Sequence, residues 1–182
     1  VSFIESISIP NSLSAPAPDL IRDFGFAEGF RQMPPAQPAF IQLDFENLKG
    51  FEQLSDQYAS SGVRFEGAIA LQPSNPAFVP PSASQVLMPL VNQTGITAYF
   101  PRPASRAGAF VIGTKPVVLA AFDADGNRLR EINTDANYVI SPAGELPKPL
   151  PHHRLEVTGT PIAKVVFYSN APFILDDFFF SH

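Results

Sequence analysis

From residue 40 onward the chain alternates apolar and polar residues with a period of two, in short runs separated by turn residues. In the first run, Ile41, Leu43 and Phe45 fall on one face and Gln42, Asp44 and Glu46 on the other, as on a half-buried strand. Gly62–Phe65, Ala68–Leu71, Gln85–Val91, Ile96–Phe100 and Phe110–Ile112 read as further strands. Pro116–Phe122 and Arg128–Ile132 flank Asp123-Ala124-Asp125-Gly126-Asn127, a hairpin turn signal. Tyr138–Ile140, Leu155–Val157, Ala163–Tyr168 and Phe173–Phe180 complete the set. Phe51–Tyr58 is a loop or a short helical turn, and proline-rich loops cover 72–84 and 142–151. Many short strands without a periodic helix predict an all-β fold, an antiparallel β-sandwich of jelly-roll type.

The last strand carries the chain's most pointed signal. Strict alternation puts Ile174, Asp176, Phe178 and Phe180 on one face and Phe173, Leu175, Asp177 and Phe179 on the other. Whichever face is the core, one aspartate shares it with large apolar residues. A lone ionised carboxylate there costs several kcal/mol unless it is paired or bound to a cation. With both faces apolar, the strand is expected to be central and covered on both sides.

Residues 1–39 have a different character. Val1, Phe3, Ile7 and Ile9 share one face of an amphipathic strand over 1–9, and Pro10, Pro16, Pro18, Pro34, Pro35 and Pro38 break up the remainder of the segment. The segment reads as an extended arm before a sandwich domain at 40–182. Its strand is expected to dock on a surface, either its own domain's or a neighbour's, and strand addition to an exposed sheet edge makes another copy of the protein an expected partner.

Composition narrows the function classes. A net charge of −5 argues against nucleic-acid binding and is compatible with cations. Without cysteine the chain has no disulfide framework, thiolate nucleophile or sulfur-ligated metal. No apolar run approaches the roughly 20 residues of a membrane span. The chain starts at Val1 rather than Met, which fits either a removed secretory signal or a boundary of another origin. No nucleophile elbow, His-Glu-x-x-His pair or phosphate-binding glycine loop is present. A non-catalytic protein is expected, outside the cell or at its surface.

Several motifs, taken in order, carry a family likeness: Leu43-Asp44-Phe45-Glu46-Asn47-Leu48, then Gln57-Tyr58 through Gly62-Val63-Arg64-Phe65, then Val117–Asn127, and the closing Ile174-Leu175-Asp176-Asp177-Phe178. Over residues 40–182 this order resembles bacterial extracellular jelly-roll domains of the galactose-binding-like and carbohydrate-binding-module type. In that family the first and last core strands lie together and often supply acidic ligands to a structural calcium. The resemblance implies Glu46 and Asp176 in that role, with Asp44 and Asp177 as nearby options. Carbohydrate-binding relatives stack sugar rings on exposed Trp and Tyr. This chain lacks Trp, which leaves Tyr58, Tyr99 and Tyr138 as the candidates for surface glycans.

Two other motifs have plainer readings. Asp123–Asn127 lacks the third acidic position and the distal glutamate of a helical calcium loop, and a tight turn accounts for it. His152 and His153, adjacent on an extended chain, point to opposite faces and make a poor chelate.

Overall fold

The computed structural model describes residues 39–82, 84–138 and 149–182. The arm with its expected strand over 1–9, and residues 139–148, lie outside the described residues. Within the described residues nine strands form: β1 (Phe40–Leu43), β2 (Arg64–Glu66), β3 (Ala68–Leu71), β4 (Val86–Pro89), β5 (Gly95–Gly113), β6 (Val117–Phe122), β7 (Arg128–Asn133), β8 (His153–Ser169) and β9 (Phe173–Ser181). Every pairing among them is antiparallel. The helical content of the described residues is one 3-10 turn, Ala59–Ser61.

Two layers result because β5 and β8 each belong to both. The first half of β5 (95–99) pairs with β2 on one side and with β8 over 164–168 on the other, and β6 and β7 follow. The second half of β5 (106–113) pairs with β8 over 153–158 and with β9, beyond which lie β1, β4 and β3. The strands turn the corner through irregular registers between Tyr99 and Arg106, the device by which strands switch sheets in orthogonal packings.

Those corners explain why the sequence divides β5 and β8 into separate pieces. Pro101 and Pro103 lie in the gap between the Tyr99 and Ala104 pairings, and Pro161 lies between those of Thr158 and Ile162. Proline has no N–H for a ladder, so it reads as a strand end although the chain continues. Tyr138 lies outside any strand.

The main core lies between the layers and centres on Phe178. Its ring meets Phe65 edge-on at 5.1 Å and Phe167 at 6.3 Å, and it stacks on Phe100 at 6.4 Å between centroids. Tyr58 joins Phe45 and Phe65 in an edge-to-face triangle. Each such aromatic pair adds about 0.5–1.5 kcal/mol beyond its buried area.

Strict alternation fails on β9. Gly108 pairs with Phe179 and Phe110 with Asp176, so β9 spends one more residue than β5 between the two pairings. This β-bulge has Asp177 at φ 47°, a left-handed conformation that aspartate tolerates better than most side chains. Phe173 and Leu175 before the bulge, and Phe178 and Phe180 after it, therefore all join the main core. Neither aspartate is among them. Every residue of β9 is buried, as expected of a central strand. Its outer face is covered by a smaller cluster of Ala77, Val86, Ile112, Leu150 and Ile174, and by a stack in which Phe40 and the Arg154 guanidinium lie against Phe179.

Candidate functional site

Three segments meet where β9 bulges: the chain leaving β1, the segment entering β4, and β9 itself. The Glu46 carboxylate accepts hydrogen bonds from the Ser84 N–H (3.0 Å), the Ser84 hydroxyl (3.2 Å) and the Gln85 N–H (2.6 Å). The Asp176 carboxylate accepts from the Ser82 hydroxyl at 3.1 Å and from the Asp177 N–H at 2.7 Å. One residue separates Ser82 from Ser84, at most about 7 Å of chain. Glu46 and Asp176, 130 residues apart in sequence, are thus tied to the same short segment.

The other two acidic residues have local partners. Asp44 is exposed and accepts from the Glu46 N–H at 3.2 Å, which fixes the turn after β1. Asp177 accepts from the Gln42 side-chain amide at 3.0 Å across the β1–β9 pair. The reading that placed Asp176 and Asp177 on opposite faces is corrected by the bulge, which keeps both out of the main core. Among the described residues, no three Asp, Glu or His side chains form a metal-holding group.

Asp176 is only 1% exposed, and no ion pair among the described residues includes it. Burial pushes its carboxyl above the ordinary value of 3.8, and the neighbouring Asp177 charge adds to the rise. Hydrogen bonds from the Asp177 and Ser82 backbones and the Ser82 hydroxyl act in the opposite direction. An unsatisfied group lies in the segment that binds these carboxylates. Gln85 gives its side-chain N–H to the Leu48 carbonyl at 2.9 Å, and its Oε1 is buried without a hydrogen-bond partner.

A buried carboxylate, an orphaned amide oxygen, a hydroxyl and a second carboxylate are all oxygen donors of the class that hard cations take. Calcium is a cation of that class. Glu46, Asp176 and Gln85 would hold it, and backbone carbonyls and water would complete its shell. Gln85 and Ser82 were not singled out in the sequence, where they sit in or beside a proline-rich loop.

Several solved structures resemble this chain. A cleaved adhesin domain of Lys-gingipain from Porphyromonas gingivalis is similar at 12% identity and a TM-score of 0.46, over 79% of this chain and 98% of that one. A family 29 carbohydrate-binding module is similar at 8% identity and a TM-score of 0.40, over 80% and 89% of the two chains. A peptidoglycan O-acetylesterase is similar at 12% identity and a TM-score of 0.43, and this chain spans 35% of its length. No protein-family model and no curated protein sequence matches the chain. What those proteins bind or cleave is theirs, and the fold described above rests on this chain's own strand order.

The tyrosines separate by environment. Tyr58 is 7% exposed, and its hydroxyl donates to Asn47 Oδ1 at 2.5 Å. This corrects the expectation of an exposed stacking ring, because Tyr58 belongs to the core triangle. Burial pushes its phenol up to about 12. Tyr138 is half-buried against the smaller cluster, its hydroxyl 3.3 Å from His153 Nε2. Tyr99 keeps 38% of its surface exposed on the outer face of β5, with its hydroxyl on Glu66 at 2.8 Å. Tyr168, also half-buried, donates to Glu131 at 3.2 Å.

The hairpin turn is as expected. Asp123 accepts from the N–H groups of Asp125 (3.0 Å) and Asn127 (2.8 Å), which closes Asp123–Asn127 on itself. The hydrogen bonds from Asn127 hold its carboxyl below the ordinary value. The expected contact residues Val1, Phe3, Ile7 and Ile9 fall outside the described residues.

Proposed function

We propose that this chain is a non-catalytic, extracellular β-sandwich with an adhesive role, that surface glycans are its partner class, and that calcium stiffens the corner between β1, β4 and β9. The observation that carries the calcium is that a buried Asp176 without an ion-pair partner and Glu46 are both held on the one segment Ser82–Gln85. A divalent cation there would offset the cost of ionising Asp176 and satisfy Gln85 Oε1. Binding rather than catalysis is supported by the way the acidic groups of this corner are engaged in holding loops. Isothermal titration of chelator-treated protein with calcium tests the ion, and a flat titration removes it. A glycan array probed with the calcium-loaded protein tests the partner, and an array blank at every glycan removes that.

Self-association is a second reading, favoured by β7. Among the described residues this strand pairs with β6 alone, so its other edge can accept a strand. The amphipathic segment Val1–Ile9 of another copy is the proposed donor. Light scattering of the full chain and of a version lacking residues 1–9 decides it. A full chain that stays monomeric across the accessible concentration range refutes it.

A further inference from the structure

One end of the sandwich carries three adjoining depressions that together make a groove. A depression between the β4–β5 turn and the β8–β9 turn shares Met88 and Pro172 with a second one beside Phe78, and Ser169 and Asn170 with a third beside Tyr168. The path crosses from the β3–β4–β9 side to the ends of β8 and β6. With strands about 5 Å apart and layers about 10 Å apart, it runs about 20 Å, enough for a short oligomer rather than a single ring.

We propose that this groove is the glycan site and that its ligand is an uncharged oligosaccharide; the inference rests on the glycan-binding reading above. The lining alternates apolar surface with amides. Val91 is 86% exposed, and with Met88 and Pro172 it offers non-polar surface to the C–H faces of sugar rings. The side-chain amides of Asn92 and Asn170 are exposed and make no hydrogen bond with the described residues. Each amide is both donor and acceptor, the combination that matches a hydroxyl. Among the described residues, Lys115 is the one charged residue along the lining, and its ammonium donates to Asn137 at 2.9 Å. The described lining holds no arginine fork to recognise a carboxylate or phosphate.

The rims are also held before any ligand arrives. The Ser169 N–H donates to the Thr94 carbonyl at 3.1 Å, which ties the two turns together. The Gln93 N–H donates to Leu90 O at 2.9 Å, closing the turn that keeps Asn92 at φ 70°. The Ala171 N–H rests on the Ser169 hydroxyl at 3.3 Å. Groups fixed in this way lose little freedom on binding.

The test titrates the full-length protein, in calcium, with cellohexaose, xylohexaose, mannohexaose, chitohexaose and polygalacturonate. The variants are Asn92→Ala with Asn170→Ala, Val91→Asp, and Tyr99→Ala as the sheet-face comparison. The wild type is expected to bind at least one neutral hexaose. The double amide variant should weaken that binding about tenfold or more while staying folded at the assay temperature, its melting temperature lowered by no more than a few degrees because Asn92 sits at φ 70°, and Tyr99→Ala should bind normally. If Tyr99→Ala loses the ligand while the groove variants keep it, the groove is wrong and the glycan reading survives. Binding of polygalacturonate alone overturns the uncharged class. A wild type that binds none of the five overturns both the groove and the glycan reading.

Discussion

Replacing Asp176 with asparagine changes one charge at the corner where β9 bulges and preserves its shape. Asparagine Oδ1 can still accept from the Asp177 N–H, and its amide can donate to the Ser82 hydroxyl, so the bonds at 2.7 and 3.1 Å survive with one donor reversed. Without calcium, wild-type Asp176 is a buried carboxyl whose folded-state pKa lies above 3.8. The folded protein then holds a proton that the unfolded chain has released, so stability falls as pH rises from about 3.8 through the folded value. The Asp176→Asn side chain has no such proton, and in chelator near neutral pH the variant should melt at or above the wild type. Calcium should reverse that order. At a free concentration one hundred times its dissociation constant, an ion stabilises the folded state by about 2.7 kcal/mol. For a chain of this size, each kcal/mol moves the melting temperature by about 2–4 °C, so the wild type should gain roughly 5–11 °C. Asp176→Asn, having lost a ligand carboxylate, should gain far less. Differential scanning fluorimetry of both proteins in chelator and in calcium, at acidic and neutral pH, reads all of this. Equal melting temperatures for the wild type with and without calcium, or equal gains for the two proteins, would refute the reasoning.

Other positions give independent checks of the fold. A Cβ at Gly108 would strike the Leu155 carbonyl oxygen and the Phe179 ring, so Gly108→Ala should destabilise by about 1–3 kcal/mol, read as a lower midpoint in urea. Phe178→Ala empties the centre of the core and should cost about 3–5 kcal/mol, or roughly 6–20 °C in melting temperature; a loss under about 1 kcal/mol would contradict the packing. In an alkaline absorbance titration, Tyr58 should ionise near 12. Because its folded pKa is raised from 10.0, its contribution to stability should be lost between those values. Tyr58→Phe should remove that late step.

How much of this is legible in the sequence depends on whether a residue obeys its local pattern. The β1 alternation of Ile41 and Leu43 and the turn at Asp123–Asn127 are both visible, because short-range periodicity and turn chemistry decide them. The convergence of Glu46 and Asp176 was expected from a family likeness, and both residues are held by one segment. The parity of β9 was hidden, because an extra residue in one strand leaves no composition signal when its neighbours are all apolar. Continuous β5 and β8 were hidden by Pro101, Pro103 and Pro161, whose tertiary position at unpaired corners removes the usual objection to proline. Tyr58 reads in the sequence as the end of a loop or short helical turn. Its contacts with Phe45 and Phe65 are long-range and leave no trace in the local run.

The double membership of β5 and β8 has a mechanical consequence. In a sandwich made of separate sheets, a load applied to one leaf reaches the other through side-chain contacts alone. Here two covalent backbones thread both leaves, so peeling them apart means unzipping ladders on each side of a corner at once. Tension entering at the loop end is handed across the body along polypeptide rather than across a greasy seam.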